Sequence, residues 1–351
     1  MDYMKAVVFH GNDDLRFESV PRPQIINPGD ALVRVTTSTI CGSDIHIKHH
    51  GETMGVKPGN IIGHEFVGIV EQVGGQVSNF KTGDRVAVAC VFSCGECFYC
   101  QKGIHSQCPQ GSVFGGSGKL DNRGAHAEYV RVPFASRVMH KIPDTLSDED
   151  VLFVGDILST GYYGAERGEI KAGDTVVVIG SGPVGMCAMI SARLFGAEQI
   201  IAVDLDNHRL GIALNQGIAD KAINPQSEEP LKVIKDLTDN RGADVVIEAV
   251  GSKTSFEAAF RYIRPGGTVS LLGVYTMGVD FPINQHWRRN LSVKMGLVEV
   301  THMNLLIELI KDGQINTNFL ISHVLPFTEI MKGYELFENR VDNALKVVLK
   351  G

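Results

Sequence analysis

The stretch VVVIGSGPVG, residues 176–185, decides the fold of this chain. Its four leading apolar residues read as a strand buried on both faces, the pattern of a parallel sheet. A turn with glycines at 180, 182 and 185 follows, and then a helical run from Pro183 to Phe195. The spacing has a physical reason. Gly180 makes the tight turn, Gly182 lets a pyrophosphate approach the backbone, and Gly185 lets helix and sheet pack closely. The helix N-terminus, opened by Pro183 and Val184, offers partial positive charge to the phosphates. Asp204 ends the next strand, QIIAVD, at the distance expected of a ribose-binding acid. A carboxylate there accepts the adenosine ribose hydroxyls and repels a 2′-phosphate, so NAD is expected. NADP is the alternative, because Arg209 and His208 lie close in the chain and would soften that repulsion. A strand–turn–helix with no ligand is the other reading, and a chain with 39 glycines makes such turns often.

Outward from this stretch the alternation continues. A helix is predicted from Asn207 to Gln216, and strands at ADKAIN (219–224), ADVVIEAV (243–250), GTVSLLGV (267–274) and LSVKMGLV (291–298). Six strands separated by helices predict an α/β doubly wound parallel sheet. Upstream, KAVVF, DALVRVTTSTI, FVGIVEQVG, GDRVAVAC and AEYVRV are short β-branched runs punctuated by Gly and Pro, which predicts a β-rich domain. The tail predicts a helix from Asn304 to Asp312, a strand at SHVLPF, a helix from Thr328 to Asn339 and a last strand at ALKVVL. That strand can return to the first domain, which would make the nucleotide domain an insertion. The expected boundaries are 1–157, 158–296 and 297–351.

Bulk properties bound the function. The chain has 351 residues, 44% hydrophobic and 21% charged, with a net charge of −7. That acidic balance argues against nucleic-acid or anionic-membrane partners. There is no apolar run of about 18 residues, and MDYMKAVVFHG carries no signal-peptide pattern. A cytoplasmic protein is expected.

The seven cysteines are odd in number, and Cys94, Cys97, Cys100 and Cys108 crowd into CGECFYCQKGIHSQC at C-x2-C-x2-C-x7-C spacing. Four thiolates in a short loop suit a closed tetrahedral zinc site; an iron–sulfur cluster uses the same ligand type. Cys90 and Cys187 sit in apolar runs and read as buried small residues. CGSDIH (41–46) packs a thiol, a hydroxyl, a carboxylate and an imidazole together, and GHEFVGIVEQVGGQV (63–77) brings His64 and Glu65 some twenty residues later. Beside a Cys-x-Ser-Asp turn and a nucleotide site, His64 reads as a metal ligand rather than a satisfied core residue.

The last run fits GHE-x2-G-x5-G-x2-V at every fixed position, and CGSDIH, the four-cysteine lobe, GDILSTGYYGA (155–165) and GSGPVG follow in order. In these motifs the chain resembles the zinc-containing medium-chain alcohol dehydrogenases over essentially its whole length. The resemblance implies a GroES-like β-rich catalytic domain with an inserted six-stranded Rossmann domain, and one catalytic and one structural Zn²⁺ per subunit. It implies Cys41 and His64 as catalytic-zinc ligands and Asp156, where many members have Cys, as the third. Asp at this place is similar to microbial secondary alcohol dehydrogenases and the formaldehyde dehydrogenase/dismutase branch; a helix N-cap is the alternative role for Asp156. Glu65, next to His64, is expected as an occasional fourth ligand exchanging with water or substrate. Ser43 resembles the relay hydroxyl, His46 the far end of the relay, and Asp44 the carboxylate that fixes the His64 tautomer.

By the same resemblance Thr160 packs against the nicotinamide, and Leu272, Gly296 and Val298 bind its carboxamide through the backbone. Some relatives carry a basic pyrophosphate contact where this chain has Gly42, and Lys346 resembles the family's C-terminal basic contact. Trp287 reads equally as a pocket wall or a subunit contact, and His49 and His50 as solvated loop residues. The implied activity is reversible hydride transfer between an alcohol, secondary by preference, and NAD. Polyol or amino-alcohol oxidation, aldehyde dismutation and a non-catalytic zinc and nucleotide-binding role are the alternatives. The implied assembly is a homo-oligomer, a tetramer ahead of a dimer, with a small-molecule substrate as its partner.

Overall fold

The computed structural model describes residues 2–117 and 124–351. Two compact units are present: Met1–Ser159 with Val298–Gly351, and Thr160–Leu297. The chain leaves the first unit within the helix Ile157–Arg167 and returns to it at Val298.

In the second unit six parallel strands form one sheet. Its spatial order is Lys221–Ile223, Gln199–Val203, Thr175–Ile179, Ala243–Glu248, Ile263–Leu271 and Ser292–Met295. In order of appearance this is 3-2-1-4-5-6, the doubly wound Rossmann arrangement. The uninterrupted VVVI run is explained by its two faces. Val176 and Val178 pack with Ala188, Met189 and Ala192 of the helix Pro183–Leu194. Val177 and Ile179 pack with Ala259 and Phe260 of the helix Lys253–Tyr262 on the other side. Gly180 lies at φ +96°, where a Cβ would be strained and would press on Val250. At Gly185 a Cβ would collide with the Gly180 carbonyl, so that position admits only glycine.

In the first unit the strand Ala31–Thr39 is the hub. It pairs antiparallel with Phe66–Val73 on one side, and with Tyr129–Val132 and then Lys346–Lys350 on the other. The last of these pairs in turn with Ile321–Pro326 in parallel, so the tail of the chain completes a sheet begun near residue 31. A smaller sheet orders Asp14–Pro21, Tyr3–Gly11 and Asn60–Ile61. Among the described residues no helix is long and apolar enough to cross a membrane.

One local expectation fails. His49 and His50 lie on the helix Gly42–His50 rather than in a loop. His50 is exposed, but the His49 ring is held between Asp13 Oδ1 at 2.5 Å and Glu338 Oε1 at 2.6 Å. The tie to Glu338 spans most of the chain, which no local pattern reveals.

Candidate metal and nucleotide sites

Cys41 lies two residues past the end of the hub strand and N-caps the helix Gly42–His50. Asp44, three residues on, accepts the Cys41 N–H at 2.9 Å, so the helix start and the thiol are set together. His64 follows Gly63, which has φ +95°; the His126 ring lies where a side chain at Gly63 would sit. Asp156 stands in the break between the turn Leu152–Gly155 and the helix Ile157–Arg167. The first N–H of that helix, at Ile157, donates to Glu65 Oε1 at 3.4 Å. Asp156 turns instead toward Cys41 and His64.

The three groups converge. Asp156 Oδ2 is 3.4 Å from Cys41 Sγ and 3.2 Å from His64 Nε2, and one ligand atom from each lies within 4.8 Å of the others. A tetrahedral zinc at ordinary ligand distances sets S–O and N–O edges of about 3.6 and 3.4 Å. All three residues are buried. Burial pushes the Asp156 carboxyl up, but the bond to His64 and its charge hold it below the ordinary value. Burial pushes His64 down, yet Asp44, Asp156 and Cys41 together hold it well above its ordinary range. A buried imidazole so surrounded demands positive charge, and a metal ion at Nε2 satisfies that demand.

The surrounding groups support the imidazole. Asp44 Oδ1 lies 3.2 Å from His64 Nδ1, an ion-pair separation whose alignment falls short of a hydrogen bond. Burial pushes Asp44 up, but His64 and His126 draw it down to about 2. Ser43 Oγ lies 3.0 Å from His64 Nε2, at the edge of the ligand cluster. His46 is on the same helix face one turn later, half-buried. Burial, with His50 and His49 adding to it, keeps its pKa below the ordinary value.

Lys346 corrects an expectation. It is not placed as an open basic group for phosphates: it is 1% exposed. Its ammonium bonds the Glu65 carboxylate and donates to the Ile40 carbonyl at 3.2 Å. Burial lowers its pKa, but Glu65, Cys41 and Asp156 outweigh that and hold it above its usual value. Glu65, bound to Lys346, stands outside the three-ligand cluster.

In the lobe, the sulfurs of Cys94 and Cys108, and of Cys97 and Cys100, are 3.5 Å apart. Cys94 to Cys100 and Cys97 to Cys108 are 3.9 Å. Zinc at about 2.3 Å from each of four sulfurs sets edges of about 3.8 Å, so a single ion fits. A cluster whose sulfurs straddle several irons does not. The thiols are uneven without an ion: burial is outweighed at Cys94 by the N–H groups of Glu96 and Cys97, which bring it to about 7. Burial pushes Cys108 up to about 12. A shared cation is what would make all four thiolate.

In the second unit the nucleotide candidates gather at the carboxyl ends of the strands, where open parallel sheets bind ligands. Asp204 Oδ2 accepts the Ser181 N–H of the glycine turn at 2.5 Å, and Oδ1 the Asp206 N–H at 2.9 Å. The Arg209 guanidinium reaches over the turn, 3.6 Å from where a Cβ on Gly182 would stand. Leu272 follows the strand Ile263–Leu271 and packs against Gly164. Gly296 follows Ser292–Met295 and lies against the Tyr163 hydroxyl. Thr160 is the first residue of this unit, whereas Val298 is the first residue of the returning segment and is buried in the other unit with Cys90 and Val91.

Glu248 and His126 are among the groups that the sequence pattern did not single out. Glu248, fully buried, accepts the N–H groups of Val250 and Gly251 at 2.8 and 2.9 Å and the Tyr275 hydroxyl at 2.6 Å. His126, also buried, bonds the Tyr334 hydroxyl at 2.8 Å and the Thr39 carbonyl at 3.3 Å. The available signal was slight in each case, a lone charge ending an apolar strand and a lone histidine among small residues.

Comparison with known proteins places this geometry. Residues 27–144 match the alcohol dehydrogenase GroES-like domain, and 183–311 match the zinc-binding dehydrogenase domain. An alcohol dehydrogenase of Cupriavidus necator is 38% identical, over 99% of this chain and 98% of its own length. The solved alcohol dehydrogenase TADH from Thermus sp. ATN1 is 38% identical with a TM-score of 0.92, covering 99% of each chain. A zinc-binding dehydrogenase from Sinorhizobium meliloti, solved with NADP, is 28% identical with a TM-score of 0.85 over the whole of both chains. This chain belongs to the zinc-containing medium-chain alcohol dehydrogenase family.

Proposed function

We propose that the protein is a zinc-dependent alcohol dehydrogenase that exchanges a hydride reversibly between a small, preferentially secondary, alcohol and NAD. The observation that carries the proposal is the convergence of Cys41, His64 and Asp156 at metal-ligand distances beside Ser43. A bound Zn²⁺ would supply Lewis-acid polarisation of the substrate oxygen.

The chain's own residues do the rest. Ser43 takes the hydroxyl proton, and His46, one helical turn away and with its pKa lowered chiefly by burial, receives it onward. A bound nicotinamide cofactor would supply the hydride acceptor for the carbinol hydrogen, so that the product is a ketone or aldehyde. Asp44 holds the His64 ring, and Lys346 keeps the Glu65 carboxylate occupied, away from the three ligands. The four cysteines of the lobe hold a second, structural ion.

Asp204 is proposed to select NAD by accepting the ribose hydroxyls, although the Sinorhizobium relative carries NADP. Arg209, lying over the glycine turn, takes the phosphate-facing place that Lys346 does not fill. We place the enzyme in the cytoplasm as a homo-oligomer. Ser292–Met295 is an edge strand, and Trp287, Ile283 and Met295 are exposed near it in the chain, which supports a subunit contact over a pocket wall for Trp287.

The test follows reduced-nicotinamide absorbance with primary alcohols, secondary alcohols and vicinal diols, supplying NAD and NADP separately. Fast NADH formation with secondary alcohols is the expected result. A diol preference would move the substrate class without touching the site. Silence on every alcohol, with two zinc ions per chain, would overturn the reading in favour of aldehyde chemistry.

A further inference from the structure

Glu299 is the second residue of the segment with which the chain re-enters the first unit. Four donors of the cysteine lobe converge on its buried carboxylate. The N–H groups of His105 and Ser106 reach it at 2.8 and 3.2 Å, the Ser106 hydroxyl at 2.8 Å and the His105 ring nitrogen at 3.2 Å. These donors belong to the turn His105–Gln107, which runs directly into Cys108, whose N–H bonds the His105 carbonyl at 3.0 Å. On either side of Glu299, Val298 and Val300 pack with Cys90, Val91 and Val113, residues of or beside the hairpin Val91–Phe92/Ser112–Val113 that flanks the lobe. The re-entering segment is therefore gripped twice by the lobe and its base.

We propose that Glu299 couples the four-cysteine lobe to this crossing, so that the lobe ion holds Val298–Val300 in place. The proposal rests on the four cysteines holding an ion. Releasing the ion frees Cys108 and the turn that precedes it. The turn then withdraws four donors from a carboxylate that is only 9% exposed, and a buried acceptor without donors leaves its site. The coupling is reciprocal: without the Glu299 carboxylate the turn loosens, and the lobe binds its ion more weakly. Glu299 is a positioning residue for the crossing, with no part in the chemistry itself.

The experiment uses the full-length protein. It measures zinc per chain, zinc release to a chromogenic chelator, and chymotryptic cleavage after Leu297, the last residue of the nucleotide unit and 45% exposed. In Glu299→Gln, with both ions still bound at the start, cleavage after Leu297 and release of the lobe ion should each quicken by roughly tenfold, the scale expected when a charged acceptor of buried hydrogen bonds is replaced by a neutral amide. Cys100→Ser should lose one zinc and show the same faster cleavage. Glu299→Gln added to Cys100→Ser should change nothing further, because the connection is already cut. Parent-like cleavage and release in Glu299→Gln would overturn the coupling, as would additive effects in the double variant. Cys100→Ser retaining full zinc would overturn the metal reading beneath it instead.

Discussion

Replacing Lys346 by methionine removes a cation from one of the most enclosed places in the molecule. Lys346 is 1% exposed and Glu65 fully buried, and the ammonium is shared between that carboxylate and the Ile40 carbonyl. Removing one member of a buried ion pair costs about 3–5 kcal/mol, chiefly because the remaining charge has no partner. Burial already pushes the Glu65 carboxyl up to about 7 against the pull of Lys346. Without the ammonium it rises further, so Glu65 takes up a proton in neutral buffer and the cost falls at the low end, about 3 kcal/mol. For a unit of this size that corresponds to a melting temperature lower by roughly 6–12 °C, read by circular dichroism at pH 7 with zinc content checked. Lys346→Met combined with Glu65→Leu should recover most of the loss, since apolar replacement of a buried pair is often neutral. If Lys346→Met melts like the parent but binds the dinucleotide more weakly, the residue is a phosphate contact after all and the buried-pair account is refuted.

Other consequences are open to direct measurement. His46→Gln should lower kcat by about 10²-fold, the low end for a positioned acid–base group, and should remove an acid limb lying below the ordinary histidine pKa of 6.5; a pH–rate profile with the parent's limb intact would take His46 out of the relay. Asp204→Asn should reduce the ratio of kcat/KM for NAD over NADP by roughly tenfold or more, since the like-charge repulsion of the 2′-phosphate is lost. An unchanged ratio would move cofactor choice to another residue. Asp148 accepts from Thr36 at 2.5 Å and Arg85 at 2.6 Å; burial raises its carboxyl, but those bonds hold it below the ordinary 3.8. Its folded-state pKa is depressed, so it stabilises the fold above about pH 4 and the contribution is lost as pH falls through the folded value. Asp148→Asn should therefore destabilise at pH 7 and flatten the acid limb of a denaturation series below pH 4, and an unchanged limb would count against the assignment.

What the sequence revealed follows the range of the interactions involved. GSGPVG could be read because each glycine answers a local demand, a left-handed φ at 180 and a helix–strand approach at 185. Cys94, Cys97, Cys100 and Cys108 could be read because a loop of fifteen residues closes on itself. Cys41, His64 and Asp156 needed the resemblance as well, since they come from three separate places in the chain. The role of Lys346 was hidden because Glu65 lies 281 residues away, and that of Glu299 because its donors lie 193 and 194 residues upstream. His49 misled for the same reason, its partner Glu338 being 289 residues further on. Sequence periodicity reports the face a side chain presents; it carries no record of which distant charge meets it there.

In the proposed function, Cys41, His64 and Asp156 hold the ion on which turnover depends. The most direct test measures zinc per chain and NADH formation from a secondary alcohol in the parent and in His64→Ala. Two zinc ions and turnover in the parent, against one zinc ion and no detectable turnover in the variant, are predicted. A His64→Ala protein that works within tenfold of the parent would contradict the assignment.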